Sequence, residues 1–268
     1  MLSRRGFVRG AALLCAGLAA SFASGCKGHA NFPQISKIMY LSPYDWDGLL
    51  RAGDRLAYYE DDILCSRWGI DVSEHQHEIS WAPVAEFGVQ FAFIRIGNRG
   101  ATAGALKTDD CFLTNAVASS GAGIETLGYF FSQAVNEAEA IEEAEYAMRC
   151  VQEANILGAN ITTIAFDHEP VLVEGARAND LTNEQLTANT VAFCEMVESA
   201  GFSAMIYGNQ RDLAKVEWGV RQKYPVWLAE YDVETPTAEM NFDIWQYSNA
   251  GTIPGISTSV DLNIWFEI

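Results

Sequence analysis

From Gly69 onward the chain alternates short apolar runs with longer stretches in which apolar residues recur every three to four positions. The runs are Gly69-Ile70-Asp71-Val72, Phe91-Ala92-Phe93-Ile94-Arg95-Ile96, Thr126-Leu127-Gly128-Tyr129-Phe130-Phe131, Thr163-Ile164-Ala165-Phe166-Asp167, Ala204-Met205-Ile206-Tyr207 and Val226-Trp227-Leu228-Ala229. Such runs suit strands buried on both faces, and helical stretches fit between them at about 110–120, 136–155 and 184–200. Strand and helix in alternation is the signature of parallel βα units. Residues 244–247 and 260–262 also read as strands, but too little sequence lies around them for helices. The expectation is an α/β chain with an irregular TIM-like barrel of eight strands over residues 69–268, the last part lacking its helices.

Upstream, residues 27–68 form a polar extension too small to hold a core of its own. Its clearest piece is Arg55-Leu56-Ala57-Tyr58-Tyr59, a Glu60-Asp61-Asp62 turn, then Ile63-Leu64-Cys65, which predicts a hairpin packing on the barrel. Residues 1–26 read as an export signal. The basic start Ser3-Arg4-Arg5-Gly6-Phe7-Val8-Arg9 resembles a twin-arginine signal, and the apolar run 11–20 is too short for a permanent membrane span. Ala23-Ser24-Gly25-Cys26 resembles a lipoprotein cleavage site, which would anchor the protein to a membrane through lipidated Cys26. The alternative is ordinary cleavage near residues 20–24 and release. Either way the expected location is extracellular or at the cell surface.

Charge narrows the partners. With 35 acidic against 17 basic residues the formal net charge is −18, and such a surface repels nucleic acid. Beyond Cys15 and Cys26 there remain Cys65, Cys111, Cys150 and Cys194, without CxxC spacing; they pair in one of three ways or stay free thiols. His75 and His77 form an HxH pair, but only His29 and His168 remain to complete a metal site, so neither metal nor cofactor is expected. A monomer is expected.

In such a barrel, side chains at the C-terminal strand ends converge on one open face. Strand one ends at Asp71, strand four at Asp167 and Glu169, and strand eight at Asp261. Strand eight closes on strand one, making Asp71 and Asp261 neighbours. Residues two apart share a face, so Asp167 and Glu169 point inward and His168 outward. Four carboxyls crowded together drive one to hold its proton near neutral pH. A proton-holding carboxyl beside an ionised one is what glycoside cleavage requires. Tyr129, Tyr207, Trp227, Tyr231, Trp245 and Tyr247 lie at the same ends and suit stacking on sugar rings. Read more plainly, the acidic cluster binds a hard cation such as calcium, and Asp71 only caps the following turn.

These segments resemble glycoside hydrolase family 25, the Chalaropsis-type lysozymes. The resemblance runs through Gly69-Ile70-Asp71-Val72-Ser73-Glu74-His75-Gln76 with Trp81, then Arg95-Ile96-Gly97-Asn98-Arg99-Gly100 and Gly128-Tyr129-Phe130-Phe131-Ser132-Gln133-Ala134. It continues through Phe166-Asp167-His168-Glu169-Pro170, Trp227-Leu228-Ala229-Glu230-Tyr231, Trp245-Gln246-Tyr247 and Val260-Asp261-Leu262-Asn263. It implies five βα units followed by three further strands, acting on the β-1,4 bond from N-acetylmuramic acid to N-acetylglucosamine in peptidoglycan glycan strands. Glu169 would be the general acid, and Asp167 would support charge at the anomeric carbon or orient the substrate's acetamido group. Asp71 and Asp261 would tune and position. Tyr129, Tyr207, Trp227, Tyr231, Gln246, Tyr247 and Arg95 would form the substrate-binding set. His77 stands where the family usually has glycine, and Ser80 where aspartate is common. A non-catalytic peptidoglycan-binding protein is the rival reading, opposed by the full carboxylate set.

Overall fold

The computed structural model describes residues 40–268; the export signal expected at 1–26, with its arginine pair and Cys26, and residues 27–39 lie outside the described residues. A three-stranded antiparallel sheet comes first: β1 (Leu49–Ala52), β2 (Arg55–Glu60) and β3 (Ile63–Leu64). The expected hairpin is β2–β3. Asp61 and Asp62, at φ 50° and 65°, make its tight turn in a conformation that aspartate tolerates better than most side chains. β1 is largely exposed and carries no alternating pattern to predict it from.

The barrel then runs β4 (Ser66–Val72), α1 (Trp81–Glu86), β5 (Phe91–Arg99), β6 (Leu106–Thr108), α2 (Phe112–Gly121), β7 (Glu125–Ser132), α3 (Glu137–Ile156) and β8 (Thr163–His168). It is completed by α4 (Asn183–Ser199), β9 (Ser203–Asn209), α5 (Gln210–Leu213), α6 (Trp218–Lys223), β10 (Val226–Ala229), β11 (Ile244–Gly251) and β12 (Val260–Phe266). Eight strands close in the order β4-β12-β11-β10-β9-β8-β7-β5, with β5 returning to β4 and β6 added outside β5. All eight apolar runs are barrel strands, and α2, α3 and α4 fall where the periodicity put them. α1, α5 and α6 are too short, at four to six residues, to show a period.

β12 breaks the parallel scheme: it runs antiparallel to both β11 and β4. The connection over residues 252–259 is too short for the crossover that a parallel partner needs. Asp261 therefore sits near the start of its strand rather than at its end, a correction to the parallel expectation. The reversed direction still brings it to the open face, where it pairs in register with Asp71.

Inside the barrel Phe91, Phe93, Leu127, Ala165, Met205, Trp227 and Ile244 form a plug beneath that face. Phe93 and Trp227 stack with ring centroids 4.1 Å apart. Gly69 makes room for the plug, since a Cβ there would lie 2.5 Å from the Phe91 ring. At the opposite end, where β4 begins, Tyr44 and Tyr58 pack against Phe266, and Tyr44 also against Phe242. The four cysteines 65, 111, 150 and 194 are free thiols, and burial pushes the Cys194 thiol well up.

Candidate active site

The open face holds a cavity of about 210 Å³. Asp71, Asp167, Glu169 and Asp261 all line it, together with Arg95, Tyr129, Tyr207, Trp227 and Gln246. Period-two alternation on β8 turns Asp167 inward and His168 outward, against Leu186 and Thr190 of α4. Glu169 follows the strand and returns to the inner face.

One half of the site is built around Asp71, which is 5% exposed. Its Oδ2 accepts from Gln246 Nε2 at 2.7 Å and Asn263 Nδ2 at 2.8 Å. Both amides have fixed orientations. The Trp227 indole, a donor only, gives its N–H to Asn263 Oδ1 at 2.8 Å, so the Asn263 amino group must face Asp71. Gln246 Oε1 accepts from the Tyr207 and Tyr231 hydroxyls at 2.8 and 2.5 Å. With Oδ2 saturated by donors, a proton on Asp71 sits on Oδ1. Burial first, then the Asp261 charge, hold Asp71 well above the usual carboxylate range, against the pull of the two amides. Burial also raises Asp261.

The other half is the Asp167–Glu169 pair. Asp167 is 3% exposed and its Oδ1 has no hydrogen-bond partner. Burial, then the charges of Glu169 and Asp71, push it well up, with Arg95 pulling it down. Glu169 is half-buried; burial and the charges of Asp212 and Asp261 raise it, while its contacts with Tyr207 and Asp167 hold it back. Burial and mutual crowding thus raise both members of the pair.

Arg95 is pinned into the wall by Asp109 (2.7 Å) and Glu74 (2.9 Å), and Asp109 also takes the Glu74 N–H at 2.9 Å. Ser73, not Asp71, caps the 3-10 turn Glu74–Gln76 in a reciprocal box with Gln76. That turn brings His75 and Gln76 to the cavity rim. It ends at His77, with φ 56° and ψ −138°, a conformation suited to glycine. His77→Gly is therefore expected to stabilise the protein by about 1 kcal/mol, read as a higher denaturant midpoint. An unchanged or lower midpoint would show that the turn carries no strain.

Two aromatic expectations are corrected. Tyr247 lies outside the barrel: its hydroxyl accepts from Trp68 Nε1 at 2.6 Å and donates to Asp54 O at 2.7 Å. Trp245 shares that face, its indole donating to Glu230 O. Gln246 points inward, so its neighbours must point out. Tyr231 lies past β10 and joins the site only through its hydroxyl on Gln246. Asn263 and Asp109 were not anticipated. Two-residue alternation from Asp261 gives Asn263, whereas no strand pattern marks Asp109. Among the described residues, no group of His, Cys, Asp and Glu is arranged to hold a metal ion.

A sequence model of the family described as Glycosyl hydrolases family 25 matches residues 70–256. The chain belongs to this family. The chain is 29% identical over 205 residues to lysozyme M1 of Streptomyces globisporus, covering 73% of this chain and 66% of that one. It is 24% identical over 199 residues to the autolytic lysozyme of Clostridium acetobutylicum, covering 74% and 56%. The modular autolysin LytC from Streptococcus pneumoniae, solved in complex with synthetic peptidoglycan ligand, shares the fold with a TM-score of 0.66 and 20% identity, covering 82% of this chain and 52% of that one. The chain thus spans between half and two thirds of the length of these relatives. The family's segments include every strand that carries a carboxylate of the site except β12, which starts at Val260.

Proposed function

We propose that this protein is a muramidase that hydrolyses the β-1,4 bond between N-acetylmuramic acid and N-acetylglucosamine in peptidoglycan. The observation that carries the reading is the inward Asp167–Glu169 pair, raised together by burial in the cavity at the barrel's open face. Glu169 is the general acid, because it is the member of the pair nearer solvent. It gives its proton to the leaving glycosidic oxygen as the bond to the anomeric carbon breaks; water supplies the hydroxyl that ends on that carbon, and its remaining proton returns to the carboxylate pair. Asp167 faces the positive charge that develops there. That charge favours ionised Asp167 and so leaves the pair's proton on Glu169. Tyr129, Tyr207 and Trp227 form the apolar wall for the sugar, and Asp71 and Asp261 set the potential opposite.

Membership of a family with lysozyme-named relatives supports action at the cell wall. Export by residues 1–26 and a lipid anchor on Cys26 complete the reading. A Cys26→Ala variant is then expected in the medium instead of the membrane fraction.

Purified protein is expected to release reducing sugar from bacterial walls. Wall binding with no such release would favour a non-catalytic binding protein instead. The pH profile derives from the raised carboxyls. A group with a raised pKa keeps its proton as pH climbs past the ordinary carboxylate value of about 4–4.5, and loses it only at the raised value. The alkaline limb of kcat/KM should therefore lie above the ordinary carboxylate range, and activity should fall as pH rises through it. An alkaline limb at the ordinary carboxylate value would remove the shared-proton account.

A further inference from the structure

Glu169 is the first residue past the β7–β8 ladder, whose last pair is Ser132 and His168. Its carbonyl is met by a side chain instead of a strand: Gln133 Nε2 donates to Glu169 O at 3.0 Å and to Ser132 O at 2.9 Å. Gln133 is fully buried and is itself held by neighbouring elements. Its N–H donates to Glu143 Oε1 of α3 at 3.2 Å, and Glu143 takes Arg99 Nε of β5 at 2.8 Å. Beside it, Asn189 of α4 donates to Ala134 O at 2.9 Å. Arg99 and Glu143 are buried, yet neither lines the cavity. A buried ion pair is a weak source of stability, and fixing one arrangement is its better attested use. After Glu169 comes Pro170, which restricts Glu169 to extended backbone.

We propose that Gln133 is a positioning residue: its main chain is anchored through Glu143 and Arg99, and its side-chain amide fixes the main chain of Glu169 so that the Glu169 carboxyl stays against Asp167 and Tyr207. The inference deepens the muramidase reading and rests on it for its catalytic consequence. The carboxyl of a long side chain is only as well placed as the backbone that carries it. A small displacement of a catalytic group can cost about 10²-fold in rate.

Gln133→Met keeps the length and bulk of the side chain and removes both donors. The test is a ¹³C NMR titration of the Glu169 carboxyl, assigned by its loss in Glu169→Gln, in the whole protein. In Gln133→Met its midpoint is expected to shift from the wild-type value by about half a unit or more, because the burial that raises it and the contacts with Asp167 and Tyr207 that hold it back both change when the main chain moves. On peptidoglycan, kcat is expected to fall about 10- to 100-fold with KM within about twofold. Gln133→Asn, whose shortened amide no longer reaches Glu169 O, carries the same expectations should the Met variant not fold. An unchanged Glu169 titration overturns the proposal. Because the titration needs no substrate, it decides the point even if the wild-type protein proves unable to cleave glycan.

Discussion

Glu169→Gln is expected to lower kcat on peptidoglycan by about 10²–10⁴-fold, the usual worth of a positioned general acid, while leaving the fold intact. Glutamine fills the same volume, so little packing is lost. Stability should hold or rise. Burial raises the Glu169 pKa, so the stability linked to its protonated form is present below the ordinary glutamate value and lost as pH climbs through the raised one. Neutral glutamine avoids that loss, and a thermal melt above pH 7 should show an equal or higher midpoint. Reducing-sugar release measured beside the melt separates the cases: retained activity would contradict the acid assignment, and loss of activity with a collapsed melt would point to folding.

Trp227→Ala is expected to be the most destabilising single change at the site, costing about 3–5 kcal/mol in chemical denaturation. Trp227 is 1% exposed, stacks on Phe93, and contacts Tyr129 and Tyr207 edge-on at centroid distances of 6.0 and 4.5 Å. It also sets the Asn263 amide that holds Asp71. Trp227→Phe separates the two roles. It keeps most of the packing but leaves Asn263 Oδ1 without its donor, a loss of about 1–3 kcal/mol for a buried polar atom. The freed amide can then flip, so Asp71 should lose a donor and activity should fall more than the stability change explains. Equal stability in Trp227→Ala and wild type would remove the plug from the account.

The barrel was legible because its strands are nearly continuous apolar runs and the long helices α3 and α4 carry apolar residues at helical spacing. The short helices α1, α5 and α6 left no period to read, and β1 is too exposed to show one. Strand direction was less legible than strand position. The shortness of 252–259 was visible, and it already implied a reversed β12, yet Asp261 reaches the open face in either direction. At the site, alternation placed Asp167 and Glu169 correctly and would also have excluded Tyr247, since Gln246 and Tyr247 are neighbours on one strand. Aromatic character outweighed period there. Asp109 and the Gln133 anchor depend on contacts between distant loops, which no local pattern encodes. Nor did the chain's chemistry reveal that Asp167 lies deeper than Glu169, which only the folded arrangement sets.

The most direct test of the account is the identity of the sugar left at new reducing ends after the purified protein digests peptidoglycan, read by borohydride reduction and analysis of the reduced amino sugars. N-acetylmuramic acid at those ends is the predicted result. N-acetylglucosamine there, or no new reducing ends at all from walls the protein binds, would contradict it.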